Sequence, residues 1–321
     1  MNKTDLIRFS TEILTAAGAD RSEAEIVAGV LVWCDAVGRT TQGVWRLPIL
    51  IERLKKGLFQ SPCKYDLNMV TATLGSVDAN NGMAHYVAHQ VTQHTIRTAK
   101  QEGICAMTVN NSNYYGAGGY YTNLIAEAGM IGIALSNSFP KVIPHGGKSP
   151  ALGTNPFSFA CPALNDEPLL IDMATSELAG STIRKTQEQG QTDDNLLFPF
   201  GGAKGFGLSL FVEILAGVLS GAGISHEVKS MYNNFNEGGN NGHFILAIDI
   251  EKFLPLEQFN LRMQNLIRFL RNSNKDANNV QYPGENRWRA LRASEQLGIT
   301  IDASTQQKLQ QLADEFGIQF N

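Results

Sequence analysis

The chain has 321 residues, 43% of them hydrophobic and 17% charged, with a formal net charge of −4. That apolar share can bury a sizeable core, in one large domain or two intertwined ones. The weak negative charge, with no basic run, argues against a nucleic-acid surface or a polybasic membrane patch.

The first stretch, "MNKTDLIRFSTEILTAAG", has no apolar leader core, and no run is long enough to span a bilayer. Cys34, Cys63, Cys105 and Cys161 are scattered, with neither CxxC nor zinc-site spacing. The expectation is a reduced, cytoplasmic protein without a metal centre.

Residues 4–33 read as two helices. Thr4 is placed to cap the first, whose Leu6, Ile7, Ile13 and Leu14 recur at helical spacing. "AGADRSEAE" then breaks the pattern. Ser22 with Glu25 makes a capping-box signature for the second helix, which carries Ile26, Val27, Val30, Leu31 and Cys34. The loop "VGRTTQGVWRLP" leads into an amphipathic segment over 47–58. "MVTATLGSVDANNG" alternates as a strand does and then turns. A long helix over about 83–101 follows, then the strand "GICAMTVNN".

From there strand, Gly-rich turn and helix alternate: a helix over 120–128, the strand "MIGIALSNS", a Gly/Pro loop, and the strands "FSFACPA" and "PLLIDMATS". Next come an apolar helix, "GFGLSLFVEILAGVLSGA", and the strand "GHFILAIDIEKF"; 256–271 and 285–321 return to helix. Polar "NNFNEGGNNG", 233–242, reads as an exposed loop. The fold class is therefore α/β: a mixed αβ middle, 76–254, with helical ends 1–75 and 255–321 forming one discontinuous domain.

Five segments are candidates for chemistry. "GAGGYY", 116–121, leads into a helix but has Tyr121 where G-x-G-x-x-G needs its third glycine, so the local pattern favours a tight turn over a Rossmann fingerprint. "HGGKSPALGTNP", 145–156, must be loop and can expose backbone N–H groups to an anion, with Thr154 and Asn155 as added donors, or can simply connect two strands. In "IDMATSELAG", Asp172 falls at a strand end before Thr175 and Ser176 at a helix start, which suits a phosphate or ribose, or plain N-capping. "PFGGAKGFG" sets Lys204 among four glycines, a point charge for phosphate. Arg46, between Trp45 and Leu47, offers a planar fork for a carboxylate, or a structural ion pair. His85, His89 and His94 share one helix, but no HExxH glutamate or third ligand accompanies them, so they read as ordinary histidines.

Together "GVWRLP", "GICAMTVNNSNYYGAGGYY", "GMIGIALSNSFPKVIPHGGKSPALGTNPFSFACPA", "IDMATSELAG", "PFGGAKGFGLSLFVEILAGVLSGA" and "YPGENRW" resemble the type 2 malate/L-lactate dehydrogenase family. Its members include ureidoglycolate, sulfolactate and diketogulonate oxidoreductases and the ketimine reductase for piperideine-2-carboxylate. The resemblance implies a non-Rossmann NAD(P)-binding αβ domain, a helical dimerisation domain, and a homodimer with active sites near the interface. It implies hydride transfer from NADH or NADPH to a small 2-oxo acid or carboxylate-bearing cyclic imine. Carried over, the cofactor contacts are Ser136, Asn137, Asp172, Met173, Ala174, Thr175, Lys204, Gly284 and Glu285; the substrate contacts are Arg46, Asn113 and Thr154.

Three departures from the family pattern stand out. Thr41-Gln42-Gly43 occupies the place of Ser-His-Gly, whose histidine is the expected acid/base. Asn113-Tyr114 replaces Asn-His, and the stretch between Gly180 and Asp194 is short. An amide can donate a hydrogen bond but cannot supply a proton. Gln42 is then compatible with an imine, whose nitrogen is already protonated, or with proton delivery by Tyr114 or Tyr115, with Asp172 orienting the replacement. The alternative is a family member that binds cofactor or a partner without turnover, or performs a non-redox step.

Overall fold

A computed structural model describes residues 1–164, 167–180, 183–185, 197–273 and 280–320. The first helices, α1 (Lys3–Ala16), α2 (Arg21–Ala36) and α3 (Leu47–Lys55), precede β1 (Asp66–Met69) and β2 (Leu74–Asp78). Then come α4 (Ala84–Glu102), β3 (Ile104–Ser112), α5 (Gly118–Glu127), β4 (Met130–Ser136), β5 (Phe157–Leu164) and β6 (Glu167–Met173). The chain continues through α6 (Ala203–Glu213), β7 (Asn241–Asp249), α7 (Leu256–Asn272), α8 (Glu285–Leu297) and α9 (Ala303–Phe316).

The helix starts differ from those expected. The Asn2 side chain accepts from Asp5 N–H at 2.8 Å and caps α1, while Asp20 accepts from Ser22 N–H at 2.9 Å and caps α2. Thr4 and Ser22 lie inside the first turns. Asn, Asp and Ser cap about equally well, so an earlier competitor can take the role. Glu25, expected in a capping box, instead pairs with Arg21 at 3.3 Å.

The seven strands form one mixed α/β sheet in the order β1-β2-β3-β7-β4-β5-β6. Only β2 and β3 run parallel; each other neighbouring pair is antiparallel. α4 and α5 cover the sheet through Val87, Val91 and Ile125 against Met107, Val109, Ile245 and Ala247, all fully buried. Fully burying an aliphatic side chain of this size contributes about 1.5–3 kcal/mol. A second core joins the two ends of the chain: Leu6, Ile13 and Leu14 of α1, Leu31 of α2 and Leu50 of α3 pack with Leu309 of α9.

The register decides where function can sit. Ser112 pairs with Asn241, Ser136 with His243, Leu135 with Phe157, and Phe157 with Met173. The ends of five strands therefore meet at one end of the sheet, where the loop following α2 also arrives.

Candidate active site

At that end lies a cavity of about 130 Å³, walled by Gln42, Arg46, Tyr114, Tyr115, Lys141 and Asp172 among others. Gln42 and Arg46 sit on two short 3-10 turns, Thr40–Gln42 and Val44–Arg46. Asp35 of α2 pins them: its buried carboxylate accepts Val44 N–H at 2.7 Å. A Cβ at Gly43 would come within 2.2 Å of that carboxylate, so glycine is what lets the loop lie on Asp35. Burial, partly offset by the Val44 bond, pushes Asp35 up to about 7.

Ring stacking and a bond to a backbone carbonyl are among the contacts that hold the Arg46 guanidinium. The residue is 4% exposed, and its Nε donates to Thr41 O at 2.9 Å. Its carbon lies 4.7 Å from the Trp45 ring centroid, 4.8 Å from Tyr114 and 5.6 Å from Tyr232. Tyr114 Oη in turn donates to Gln42 Oε1. With its oxygen occupied as acceptor, the Gln42 amide has Nε2 as its donor.

No buried histidine supplies an acid here. His85 packs edge-on to Tyr114 at 5.5 Å, and burial, with Arg46 nearby, lowers it to about 3. His243 bridges Ser136 Oγ and Ser112 Oγ, each at 2.9 Å, lies stacked on Tyr115, and is lowered to about 3, again by burial. Both rings are neutral at pH 7. Burial raises Tyr114 to about 12, so its phenol is a hydrogen-bond donor and a poor proton source. His89 meets Tyr120 Oη at 3.1 Å, away from the cavity wall.

The sequence candidates divide into two groups. Gln42, Arg46, Tyr114, Ser136, Asn137, Thr154, Asp172, Met173 and Ala174 line the cavity together. Asn113, Thr175, Lys204, Gly284 and Glu285 lie outside that wall. The Asn113 amide is taken up by Asn81 Oδ1 and Gly239 N–H. Thr175 spends its N–H and hydroxyl on Thr154 O. Lys204 is exposed on the first turn of α6. Gly284, at φ +108°, caps α8 where a Cβ would crowd Leu170 N at 3.0 Å, and Glu285 pairs with Arg271 and accepts Tyr282 N–H.

Some roles inside the wall are structural. Asn137 donates to Gly223 O at 2.7 Å and accepts Gly242 N–H at 2.9 Å, tying the turn after β4 to β7. Asp172 pairs with Arg287 at 3.0 Å and Arg39 at 3.9 Å, and Arg287 also donates to its backbone oxygen at 2.8 Å. The helix expected to start at Thr175–Ser176 does not: Ser176 forms an isolated bridge with Pro199, and the hydrogen bonds a helix start would need run to neighbouring loops. The 233–242 loop is also more than an exposed linker. The carbonyls of Met231, Asn234 and Glu237 hold the buried Arg53 guanidinium, and Asn241 and Gly242 open β7. Most of the short stretch between Gly180 and Asp194 lies outside the described residues.

Sequence reading missed Lys141, Arg39, Arg287 and Tyr232. Lys141 did carry a signal, the one that marked Arg46: a cation flanked by apolar neighbours, here Pro140 and Val142, in a loop.

The wall can receive a polar ligand. Gly116, Ala117 and Gly118 line it at the start of α5, and no side chain caps that helix, so its first N–H groups and positive dipole end border the cavity. Tyr115 Oη and Tyr232 Oη are buried without a hydrogen-bond partner among the described residues. Buried polar groups are ordinarily satisfied, so these two fit a ligand that completes them.

The chain is similar to known proteins along almost its whole length. Residues 1–193 and 191–310 match the malate/L-lactate dehydrogenase family. Malate dehydrogenase of Pyrococcus horikoshii is 32% identical over 99% of this chain and 95% of its own length. The Pseudomonas putida delta(1)-pyrroline-2-carboxylate/delta(1)-piperideine-2-carboxylate reductase is 27% identical over 98% of this chain and 96% of its own. The structure of malate dehydrogenase from Entamoeba histolytica superposes with a TM-score of 0.93 at 27% identity, covering 100% of this chain and 98% of that one. The chain belongs to the malate/L-lactate dehydrogenase family of oxidoreductases.

Proposed function

We propose that the protein is an NAD(P)H-dependent reductase of small acids, transferring hydride to a 2-oxo acid or a carboxylate-bearing cyclic imine. The observation that carries this is Arg46: a guanidinium buried among three aromatic rings yet bordering the cavity that Gln42 and Tyr114 share. A planar fork in a low-dielectric wall suits a carboxylate through two parallel charge-assisted bonds. The relatives that carry the names malate dehydrogenase and pyrroline- or piperideine-carboxylate reductase act on such acids.

The residues present fit a nicotinamide cofactor. The uncapped start of α5, the Ser136–Ser138 turn, Met173–Ala174 and the orphaned Tyr115 hydroxyl form a donor-rich wall without a Rossmann glycine pattern. Bound there, the reduced nicotinamide supplies the hydride. Around it, Arg46 holds the substrate carboxylate, Gln42 borders the reacting centre, and Tyr114 fixes the Gln42 amide. Lys204, Thr175, Gly284 and Glu285 belong to the same proposal only if the cofactor extends beyond the described cavity. A second copy of this chain is the partner: Leu210, Phe211, Ile214, Val218 and Leu219 form an exposed apolar face on and just after α6, of the kind that marks an interface.

Purified protein mixed with NADH or NADPH and a panel of 2-oxo acids and cyclic imino acids tests the reading through nicotinamide absorbance. Oxidation of the nicotinamide by at least one class is the expected result. Tight nucleotide binding with no turnover would support the altered, non-reductive alternative.

A further inference from the structure

The cavity wall holds a lysine that the preceding chemistry leaves unused. Lys141 lies in the loop after β4, and that loop is firmly tied: Lys141 N–H and Val142 N–H both donate to Leu152 O at 2.8 Å, and Ile143 N–H donates to Leu197 O at 2.8 Å. The ammonium sits 4.5 Å from the Phe139 ring centroid and close under Gly180, where an added Cβ would stand 3.3 Å from Nζ. It therefore borders the same space as Arg46, Gln42 and Tyr114, from a different loop.

Its electrostatic surroundings are unusual for a lysine. The charges acting on it are the cations Arg46, from the turn after α2, and Arg184, beyond Gly180. Asp172, the carboxylate of the wall, is engaged by Arg287 and Arg39. Among the described residues no carboxylate forms an ion pair with Lys141. Burial first, then repulsion from Arg46 and Arg184, lowers it to about 8. Tyr114 has moved the other way and the two buried histidines are neutral, so among the described residues of the wall Lys141 is a cation able to lose a proton near neutrality.

We propose that Lys141 is the proton donor of the reduction, taking the part expected of a histidine at position 42. The inference rests on the reductase reading. As hydride adds to C2 of a 2-oxo acid, the π pair of the C=O bond moves onto oxygen. One N–H bond of the Lys141 ammonium breaks and an O–H bond forms. The substrate leaves as a 2-hydroxy acid, the nicotinamide is oxidised, and the neutral amine regains a proton from solvent. An acid whose pKa lies near the working pH is the effective choice for this step, and the amine form can take the proton back in the reverse direction. A cyclic iminium needs no such proton, because hydride alone neutralises it.

Three variants and one titration test this. Lys141→Met and Lys141→Arg are each expected to lower kcat for 2-oxo acids by about 10²–10⁴ and to abolish the pH limb near 8, while sparing reduction of a cyclic imine. Arginine keeps the charge but holds its proton, so an Arg variant with full kcat and an intact limb would overturn the proposal. So would a rise in KM alone, which would make Lys141 a binder of a second anionic group. The third variant, Gln42→His, is expected to restore oxo-acid reduction in the Lys141→Met background. Independently of turnover, the Cε resonance of Lys141 in ¹³C-lysine-labelled, cofactor-free protein, assigned by its loss in Lys141→Met, should titrate near 8. A midpoint near the ordinary lysine value of about 10.4 would overturn the proposal even if the enzyme is active. If no acid is reduced at all, the reductase reading fails while this titration still decides the state of the lysine.

Discussion

Tyr114 Oη donates its hydrogen to Oε1 of Gln42, and the same Tyr114 ring lies 4.8 Å beneath the Arg46 guanidinium. One aromatic side chain thus orients an amide with its edge and supports a cation with its face. Tyr114→Phe keeps the face and removes the edge contact. Gln42, which is half-buried, loses the hydrogen bond that fixes its amide, a net loss of about 0.5–1.5 kcal/mol. The expected outcome is a fall in kcat of roughly 2- to 13-fold, with KM for the acid nearly unchanged. A rise in KM with kcat intact would place Tyr114 in binding alone.

In the proposed reaction, Arg46 is the side chain that binds the substrate carboxylate. Removing a charged hydrogen-bond partner costs about 1.5–3 kcal/mol, so Arg46→Met should raise KM for the acid by roughly 10- to 150-fold. Arg46→Lys should rescue little of it, since the ammonium lacks the planar fork and stacks poorly on Trp45 and Tyr114. Nucleotide affinity, measured by fluorescence of bound NADH or NADPH, should stay within a few-fold of the parent. Equal weakening of acid and nucleotide would mean that the loop itself had collapsed.

The elements were legible where periodicity is local. The helix over about 83–101 matches α4, and the strands expected over "MIGIALSNS" and "PLLIDMATS" contain most of β4 and β6 but run two and three residues past their ends, at Ser136 and Met173. The placement of β7 between β3 and β4 was not legible, because a strand that returns more than 100 residues later is chosen by sheet packing rather than by its neighbours in sequence. The motif residues at the cavity were readable because glycines and a flanked arginine mark backbone and charge that need a reason. Asn137 shows the limit: it lines the cavity as expected, yet its amide is occupied by Gly223 and Gly242, a demand visible only once the loops are folded together. Lys141 shows the converse, since its pKa is lowered first by burial and then by Arg46 and Arg184, about 95 and 40 residues away in the chain.

Asp172 and Arg287 form a buried pair that joins β6 to α8, with side chains 5% and 14% exposed. Arg287→Met leaves the carboxylate with Arg39 alone, at 3.9 Å. Breaking a buried pair from one side costs about 3–5 kcal/mol. The expected result is a lower urea midpoint, with partial recovery in Arg287→Lys, which restores the charge but cannot also reach the Asp172 backbone oxygen in the same fork geometry. A midpoint equal to the parent would show that Arg39 suffices.

Asp35 links the loop to pH. Burial raises its carboxyl to about 7 in the folded protein, against an ordinary value of 3.8. A group with a raised folded pKa binds its proton more tightly when folded, so its effect on stability is most favourable below pH 4 and is lost as pH rises from about 4 to about 7. Asp35→Asn keeps an acceptor for Val44 N–H and removes the charge. Relative to the parent, the variant should therefore gain stability across that window, reaching a difference on the order of 4 kcal/mol by pH 8. Urea unfolding at pH 4.5, 6 and 8 measures it. A difference that does not grow with pH would mean that Asp35 is ionised throughout, with the loop carrying Gln42 and Arg46 held by a charge rather than by a neutral acid.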